Sequence, residues 1–492
     1  MIAEFPTFDV LVIGSGPAGQ NAALEASEHG ARVLMIEQEP HVGGACVQFG
    51  TIPSKTLRET ALTLAAFQRR SGDVYQITRN AELSVVSLMK RLNEVVHAHQ
   101  ETTRKCLQQA GIQRAYGRAR LLSPNEIEIT RVSGEQTTVC GNTIIVATGS
   151  RPRNPPNIRV DHENILDSDS ILSMSYLPRS IVIFGGGVIA CEYASTFSAL
   201  GVQVTMIDKA SRPLGFIDAE LVEFFLRQLH LNGGEFVGNC ELASVKWDGV
   251  SSVKTVLADG RTFHADKAFV ALGRVANIDS LGLQNAGLRA SDRGLLTVNE
   301  FCQTAVPNIY AVGDTIGPPA LASASMDQGR RAAIHALTEA RSQASLSLPT
   351  GIYTIPEIAT VGMTEYEAKE KFGVPKIARV SFEQVARAHI TANPNGMLKM
   401  VTCPNGHRLL GIQVVGDGAT ELVHIGQMAL IANLPVDTFI QTTFNFPTMA
   451  EAYRLAALEI VHTREAASFD GQRRRESTHA VAPAFLSSNS CP

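Results

Sequence analysis

The chain has 492 residues, 45% hydrophobic and 18% charged, with a formal net charge of -4; that is room for about three domains. The charge balance argues against a nucleic-acid or anionic-membrane binder, and no apolar run reaches the about 18 residues that span a bilayer, so neither partner is expected. The eight cysteines are scattered, without a C-x-x-C pair, a metal-type cluster or a disulfide framework, which suits a reducing, cytoplasmic setting.

The opening MIAEFPTFDV carries Glu4 and no basic stretch, so a secretory leader is not expected. DVLVIG (9–14) then reads as an unbroken apolar strand, the pattern of a parallel strand covered on both faces. It enters GSGPAG, which sets Gly14, Gly16 and Gly19 in the spacing G-x-G-x-x-G before the helical stretch QNAALEASEHG. The first glycine permits a tight turn, the second lets backbone approach a pyrophosphate, and the third allows close helix–strand packing. The helix start offers free N–H groups to the anion. A second apolar strand, RVLMIE, ends at Glu37, where a carboxylate can accept from an adenosine ribose.

Next comes GGACVQFGTIPSK, from Gly43 to Lys55. A cysteine at position 51 would complete a Cys-x4-Cys pair with Cys46, but the residue there is Thr51. Residues 84–110 have helical periodicity; GIQRAYGRARLL and EIEITRV read as short strands, and TIIVATGS (143–150) returns to the apolar pattern.

A second strand–glycine–helix unit begins at IVIFGG (181–186) and supplies Gly185, Gly187 and Ala190, alanine being permitted at the third place. Its following strand, VQVTMID, ends at Asp208, an acid that favours the 2′-hydroxyl of NAD. Lys209 and Arg212 follow at once. They either meet the 2′-phosphate of NADP or are solvated surface charges. FVALGRVAN (269–277) echoes TIIVATGS, and NIYAVGDTIG (308–317) is a strand leading to Asp314. From about 348 the chain changes to mixed strands and helices, and the polar tail 466–492 reads as disordered.

The expected fold class is therefore α/β: two Rossmann-like dinucleotide-binding domains followed by an α+β C-terminal domain. Two dinucleotide folds in one chain suggest a flavin held permanently and a nicotinamide that exchanges.

From Asp9 to about Glu459 the sequence resembles the pyridine nucleotide–disulfide oxidoreductase family, on five features: GSGPAG with Glu37, GGACVQFGTIPSK, VATGS, GGGVIACEYA and TAVPNIYAVGDTIG. The resemblance implies an FAD-binding domain of residues 1–155 and 276–347, an NAD(P)-binding domain of 156–275, and a domain of 348–465 that forms a homodimer. It implies that Asp314 contacts the ribitol chain of FAD, and that Lys55 and Glu192 pair beside the flavin where the nicotinamide stacks. Gly44, Thr148, Gly149 and Gly273 are expected at the nucleotide sites. The helix begun by PPALASASMDQGRRAA would turn its N-terminus to the flavin.

Two departures stand out. Dithiol members place a second cysteine at the flavin-facing position, here Thr51, whose hydroxyl cannot enter a disulfide. They also carry a histidine base before Pro-Thr; this chain reads FNFPTMAE, with Phe446 in that place and Glu451 retained. Both losses fall on thiol chemistry alone. The same pattern marks the transhydrogenase branch of the family. The expected reaction is thus FAD-dependent ping-pong hydride transfer from NADPH to NAD, reversible and without a redox-active disulfide, with Lys55, Glu192, Thr51 and Cys46 at the reacting centre. The alternative is a single-cysteine flavoprotein reductase or oxidase acting on a thiol, quinone, metal or oxygen.

Overall fold

The computed structural model describes residues 6–74, 85–340 and 347–479, with side chains described over 6–66, 85–340 and 347–465. The opening residues read as lacking a leader fall partly outside that range, as do residues 480–492 of the tail.

The first sheet is built on the strand Thr7–Ile13, flanked in parallel by Val33–Glu37 and by the second half of Gln136–Val146. Its apolar residues divide between the two faces. Leu11 and Ile13 join one core cluster; Val10 and Val12 join another. Leu34 and Ile36 repeat the division against Val33 and Met35. That is why the sequence shows an unbroken apolar run where a one-sided sheet would alternate. Full burial of each such side chain stabilises the fold by roughly 1.5–3 kcal/mol before entropic costs. Ile309–Ala311 pairs with Gln136–Val146 and brings the residues before Asp314 into the same sheet. The expected helix of 84–110 is Val85–Gln109, and the stretch GIQRAYGRARLL is two strands, Gln113–Tyr116 and Arg118–Leu121. Gly117, at φ 157, separates them.

The chain leaves this fold through the short strand Ser150–Pro152 and returns through Arg274–Ala276, which pair antiparallel. Between them lies the second parallel sheet, in which Ser180–Phe184 is flanked by Gln203–Ile207 and Lys267–Val270. Among the described residues the two glycine-loop folds make one compact unit (6–74, 85–216, 225–340 and 353–355), and 217–224, 347–352 and 356–479 make another.

In this second unit five antiparallel strands run in the order Thr350–Ile352, Ile358–Gly362, Leu409–Val415, Met397–Thr402, Lys376–Ser381. One face, with Leu398, Met400, Ile412 and Val414, packs in a core with residues of the helices Ala419–Ile431 and Glu451–His479. The opposite face carries the row Thr360, Gln413, Lys399 and Arg379 in direct cross-strand register. Lys399 is buried there and pairs with Asp218, Glu220 and Glu365. Among the described residues these three acids are the one group spaced to hold a cation, and the Lys399 ammonium already sits among them. The last helix runs to His479, through the first half of the tail read as disordered. Half of the residues in that stretch are Ala, Glu, Gln or Arg, which favour helix by intrinsic propensity. Among the described residues no helix is long and apolar enough to cross a membrane.

Candidate active site

The first glycine loop is dictated by close approaches. Gly14 has φ 103, and a Cβ there would lie 2.4 Å from the Ala147 carbonyl oxygen. A Cβ at Gly19 would lie 2.0 Å from the Gly14 oxygen. At Gly16 nothing lies within 4 Å, so that backbone is open to a ligand. Gly44 (φ 59) backs directly onto it, with a Cβ there 2.8 Å from the Gly16 Cα. Gly16 caps the helix Pro17–Glu28 without a side-chain partner, leaving the first N–H groups for an anion.

Glu37 is held on both oxygens. Ser15 donates to it from its backbone N–H (2.8 Å) and its hydroxyl (2.6 Å), and the Glu39 N–H donates at 2.9 Å. Ser15, invisible to motif reading because the middle of G-x-G accepts any residue, thus locks the Glu37 carboxylate. On the other side of the loop the Thr148 hydroxyl is buried without a hydrogen-bond partner, and at Gly149 (φ 66) a Cβ would meet nothing within 4 Å. Asp314 accepts from the Ser150 hydroxyl at 2.5 Å. The helix Ala322–Thr338 has no side-chain cap, and Gly329 lets it close on Ala18, whose oxygen would be 2.1 Å from a Cβ. An orphaned hydroxyl, open glycines and two uncapped helix starts fit a bound dinucleotide such as FAD.

The second loop repeats the first with less locking. Gly185 (φ 117) turns against Ala271, and Gly187 is open and caps Val188–Ala199 without a side-chain bond. The Asp208 carboxylate lies beside the loop, its Oδ2 3.3 Å from where a Gly186 Cβ would stand, and accepts from the Ala210 N–H at 2.6 Å. Lys209 is exposed, and Arg212 donates to the Gly215 carbonyl at 3.1 Å. Gly273 (φ 105) faces the Arg153 guanidinium.

Between the two folds, GGACVQFGTIPSK forms the short helix Gly44–Gln48 and the start of Thr51–Val74. The long helix brings Lys55 to Glu192 of Val188–Ala199, Nζ to Oε2 at 2.6 Å. The other carboxylate oxygen accepts the Tyr353 N–H at 2.9 Å, and the Lys55 ammonium stands 4.9 Å from the centre of the Tyr353 ring. Arg58 buries beside them and donates twice to the Thr354 carbonyl. Tyr353 carries no sequence signal, because it acts largely through its backbone. Cys46 is a half-buried free thiol. Burial pushes its pKa up, only partly countered by the Thr51 side-chain hydrogen bond and by Lys55.

Phe446 and Glu451 belong to the other unit. Phe446 is 67% exposed, and Glu451 keeps a buried carboxylate oxygen with no partner.

Residues 8–329 match the pyridine nucleotide-disulphide oxidoreductase family and 348–457 match its dimerisation domain. The chain belongs to that family. Membership makes it a flavoprotein oxidoreductase that uses FAD with NAD(P) as substrates. Proteins named soluble pyridine nucleotide transhydrogenase are similar over nearly the full length. That of Serratia proteamaculans is 40% identical over 457 residues, 92% of this chain and 97% of its own. That of Chromohalobacter salexigens is 41% identical over 453 residues, with the same coverage of 92% and 97%. That of Mycobacterium tuberculosis is 39% identical over 465 residues, 93% of this chain and 98% of its own. Among solved structures, LpdA of Mycobacterium tuberculosis superposes with a TM-score of 0.86 at 28% identity, covering 92% of this chain and 99% of that one. The HOCl-induced flavoprotein disulfide reductase RclA of Escherichia coli has a TM-score of 0.83 at 25% identity, covering 91% and 99%.

Proposed function

We propose that this family member exchanges hydride between NADPH and NAD by a ping-pong route, as a cytoplasmic homodimer formed through residues 348–465 and without a redox-active disulfide. The observation that carries the reading is an intact Lys55–Glu192 pair beside a position, Thr51, that cannot form a disulfide. The relatives named for transhydrogenation point the same way. In this reading Gly14, Gly16, Gly19, Glu37, Gly44, Thr148, Gly149 and Asp314 hold FAD, and Gly185, Gly187, Asp208, Lys209, Arg212 and Gly273 receive the nicotinamide nucleotide. Bound there, FAD would supply a ring able to accept a hydride and return it.

The protein's own residues orient. Glu192 spends both oxygens, one on Lys55 and one on the Tyr353 N–H, so its carboxylate cannot swing. The pair is fixed in place and presents a neutralised, ordered wall to an entering ring. Positioning of this kind supplies most of what a hydride transfer needs. No side chain must move a proton, because hydride carries nucleus and electrons together. Phe446 holds no proton, and the orphaned Glu451 oxygen suits an orienting acid whose basic partner is gone. The Asp208 acid beside Lys209 and Arg212 suits a site that must accept both NAD and NADP.

A single-cysteine reductase would rely on the Cys46 thiolate, which burial disfavours. Anaerobic stopped-flow tests the proposal. NADPH should bleach the flavin absorbance, and thio-NAD added next should restore it with formation of thio-NADH. If the absorbance stays bleached and no thio-NADH forms, transhydrogenation is wrong. A thiolate charge-transfer band under NADPH, abolished by Cys46→Ala, would favour the single-cysteine reading.

A further inference from the structure

The crossover between the two folds carries a guanidinium with every arm engaged. Arg274 opens the returning strand Arg274–Ala276, paired with Ser150–Pro152 on which the chain departs. Its Nε donates to the Ser150 hydroxyl at 2.8 Å, its Nη2 to the Ser150 carbonyl at 2.6 Å, and its Nη1 to the Ser168 hydroxyl at 3.0 Å. Asp169 stands 3.9 Å from the same Nη1. Ser168 and Asp169 follow the edge strand Ile165–Asp167 of the second sheet. The guanidinium thus ties that turn to the first fold.

The chemistry fixes the direction of the next bond. An arginine Nε–H only donates, so the Ser150 oxygen must accept there. A hydroxyl has one proton, and the remaining short contact of Ser150 is to Asp314 Oδ2 at 2.5 Å. The proton is therefore committed to the carboxylate. Ser150 is buried, so solvent does not compete for these bonds. The result is a one-way chain, Arg274 to Ser150 to Asp314. It holds Oδ2, and Oδ1 remains an acceptor available to a ligand hydroxyl.

We infer that Ser150 and Arg274 are positioning residues for Asp314, so that retention of FAD by the first fold depends on a guanidinium anchored to the second. The inference rests on the proposed role of Asp314 as the flavin-side carboxylate.

The test is FAD affinity of the full-length holoenzyme, read as the fluorescence of flavin released on serial dilution. A hydroxyl bond to a carboxylate lost from the chain should weaken FAD by about tenfold in Ser150→Ala. Arg274→Met should do at least as much, and Arg274→Lys, which keeps charge but not the fork, should recover only part. Asp314→Asn separates the two claims. If it leaves FAD affinity unchanged, the role of Asp314 is wrong and the inference falls with it. If Asp314→Asn weakens FAD but Ser150→Ala does not, the role stands and the inference is overturned. Ser150→Ala added to Asp314→Asn should cause no further loss; an equal loss in both backgrounds would reduce Ser150 to a general structural role and also overturn the inference. Ser150→Ala removes one atom, so the test stands even where Arg274→Met fails to fold.

Discussion

The two glycine loops share one backbone design and differ in how firmly their acids are held. Both turn on a positive-φ glycine pressed against a carbonyl, Ala147 at the first and Ala271 at the second, and both leave their second glycine open. At the first, Glu37 accepts three hydrogen bonds from Ser15 and Glu39, so its carboxylate is fixed before any ligand arrives. At the second, Asp208 accepts the Ala210 N–H, with exposed Lys209 and with Arg212 following in the chain. A pre-ordered acid pays less ordering entropy on binding and favours long residence. On the proposed reading, a looser acid followed in the chain by two cations favours exchange and tolerance of either nicotinamide. One protein can therefore combine a resident and a visiting nucleotide on the same motif.

The largest disruption is expected where the two folds meet. Lys55→Met leaves Glu192 unpaired and removes the ammonium over Tyr353. We expect about a hundredfold loss in the rate of hydride transfer from NADPH, with FAD content unchanged. Rapid-reaction measurement at saturating NADPH checks it. A loss confined to KM would mean that the pair only binds nucleotide.

Next come the acids themselves. Glu37→Gln weakens the charge-assisted bonds from Ser15 and should raise the dissociation constant of FAD by about tenfold or more, while leaving KM for NADH and NADPH alone. Asp208→Asn should do the reverse, weakening NADH by about tenfold relative to NADPH with FAD retained. Arg212→Ala should weaken NADPH selectively but less, since a partly solvated cation already bonded to the Gly215 carbonyl contributes only about 1 kcal/mol. If Asp208→Asn released FAD, or Glu37→Gln altered nicotinamide preference, the division between resident and visitor would be misdrawn.

The glycines and the strand-end acids were legible in the sequence because each is a residue type suited to the backbone or the charge at its place. Gly14 and Gly185 could be read because no Cβ fits against the facing carbonyl. Ser15, Ser150, Arg274 and Tyr353 were not, for a physical reason. Serine and arginine are common, and their partners lie more than a hundred residues away in the chain for Ser150–Asp314 and Arg274–Ser150. Tyr353 contributes a backbone N–H, which every residue but proline owns. The pairing of Lys55 with Glu192 came from family resemblance, since nothing local to either residue points across the two folds.

The smallest expected effect belongs to Cys46, the half of the cysteine pair that remains. Burial raises its pKa more than Thr51 and Lys55 lower it, so it stays a thiol at neutral pH. Cys46→Ser should change NADPH-to-NAD turnover by no more than about twofold. The folded value lies above the unfolded one, so stability derived from a neutral thiol is complete below the unfolded value of about 8.5 and is lost as pH rises through the folded value. Wild type and Cys46→Ser should therefore melt in parallel from pH 6 to 8, and wild type alone should lose ground toward pH 10. The same ordering predicts slow alkylation of Cys46 by iodoacetamide at pH 7. Fast alkylation that also stops turnover would make the thiolate part of the chemistry and would move the protein back toward its disulfide-reducing relatives.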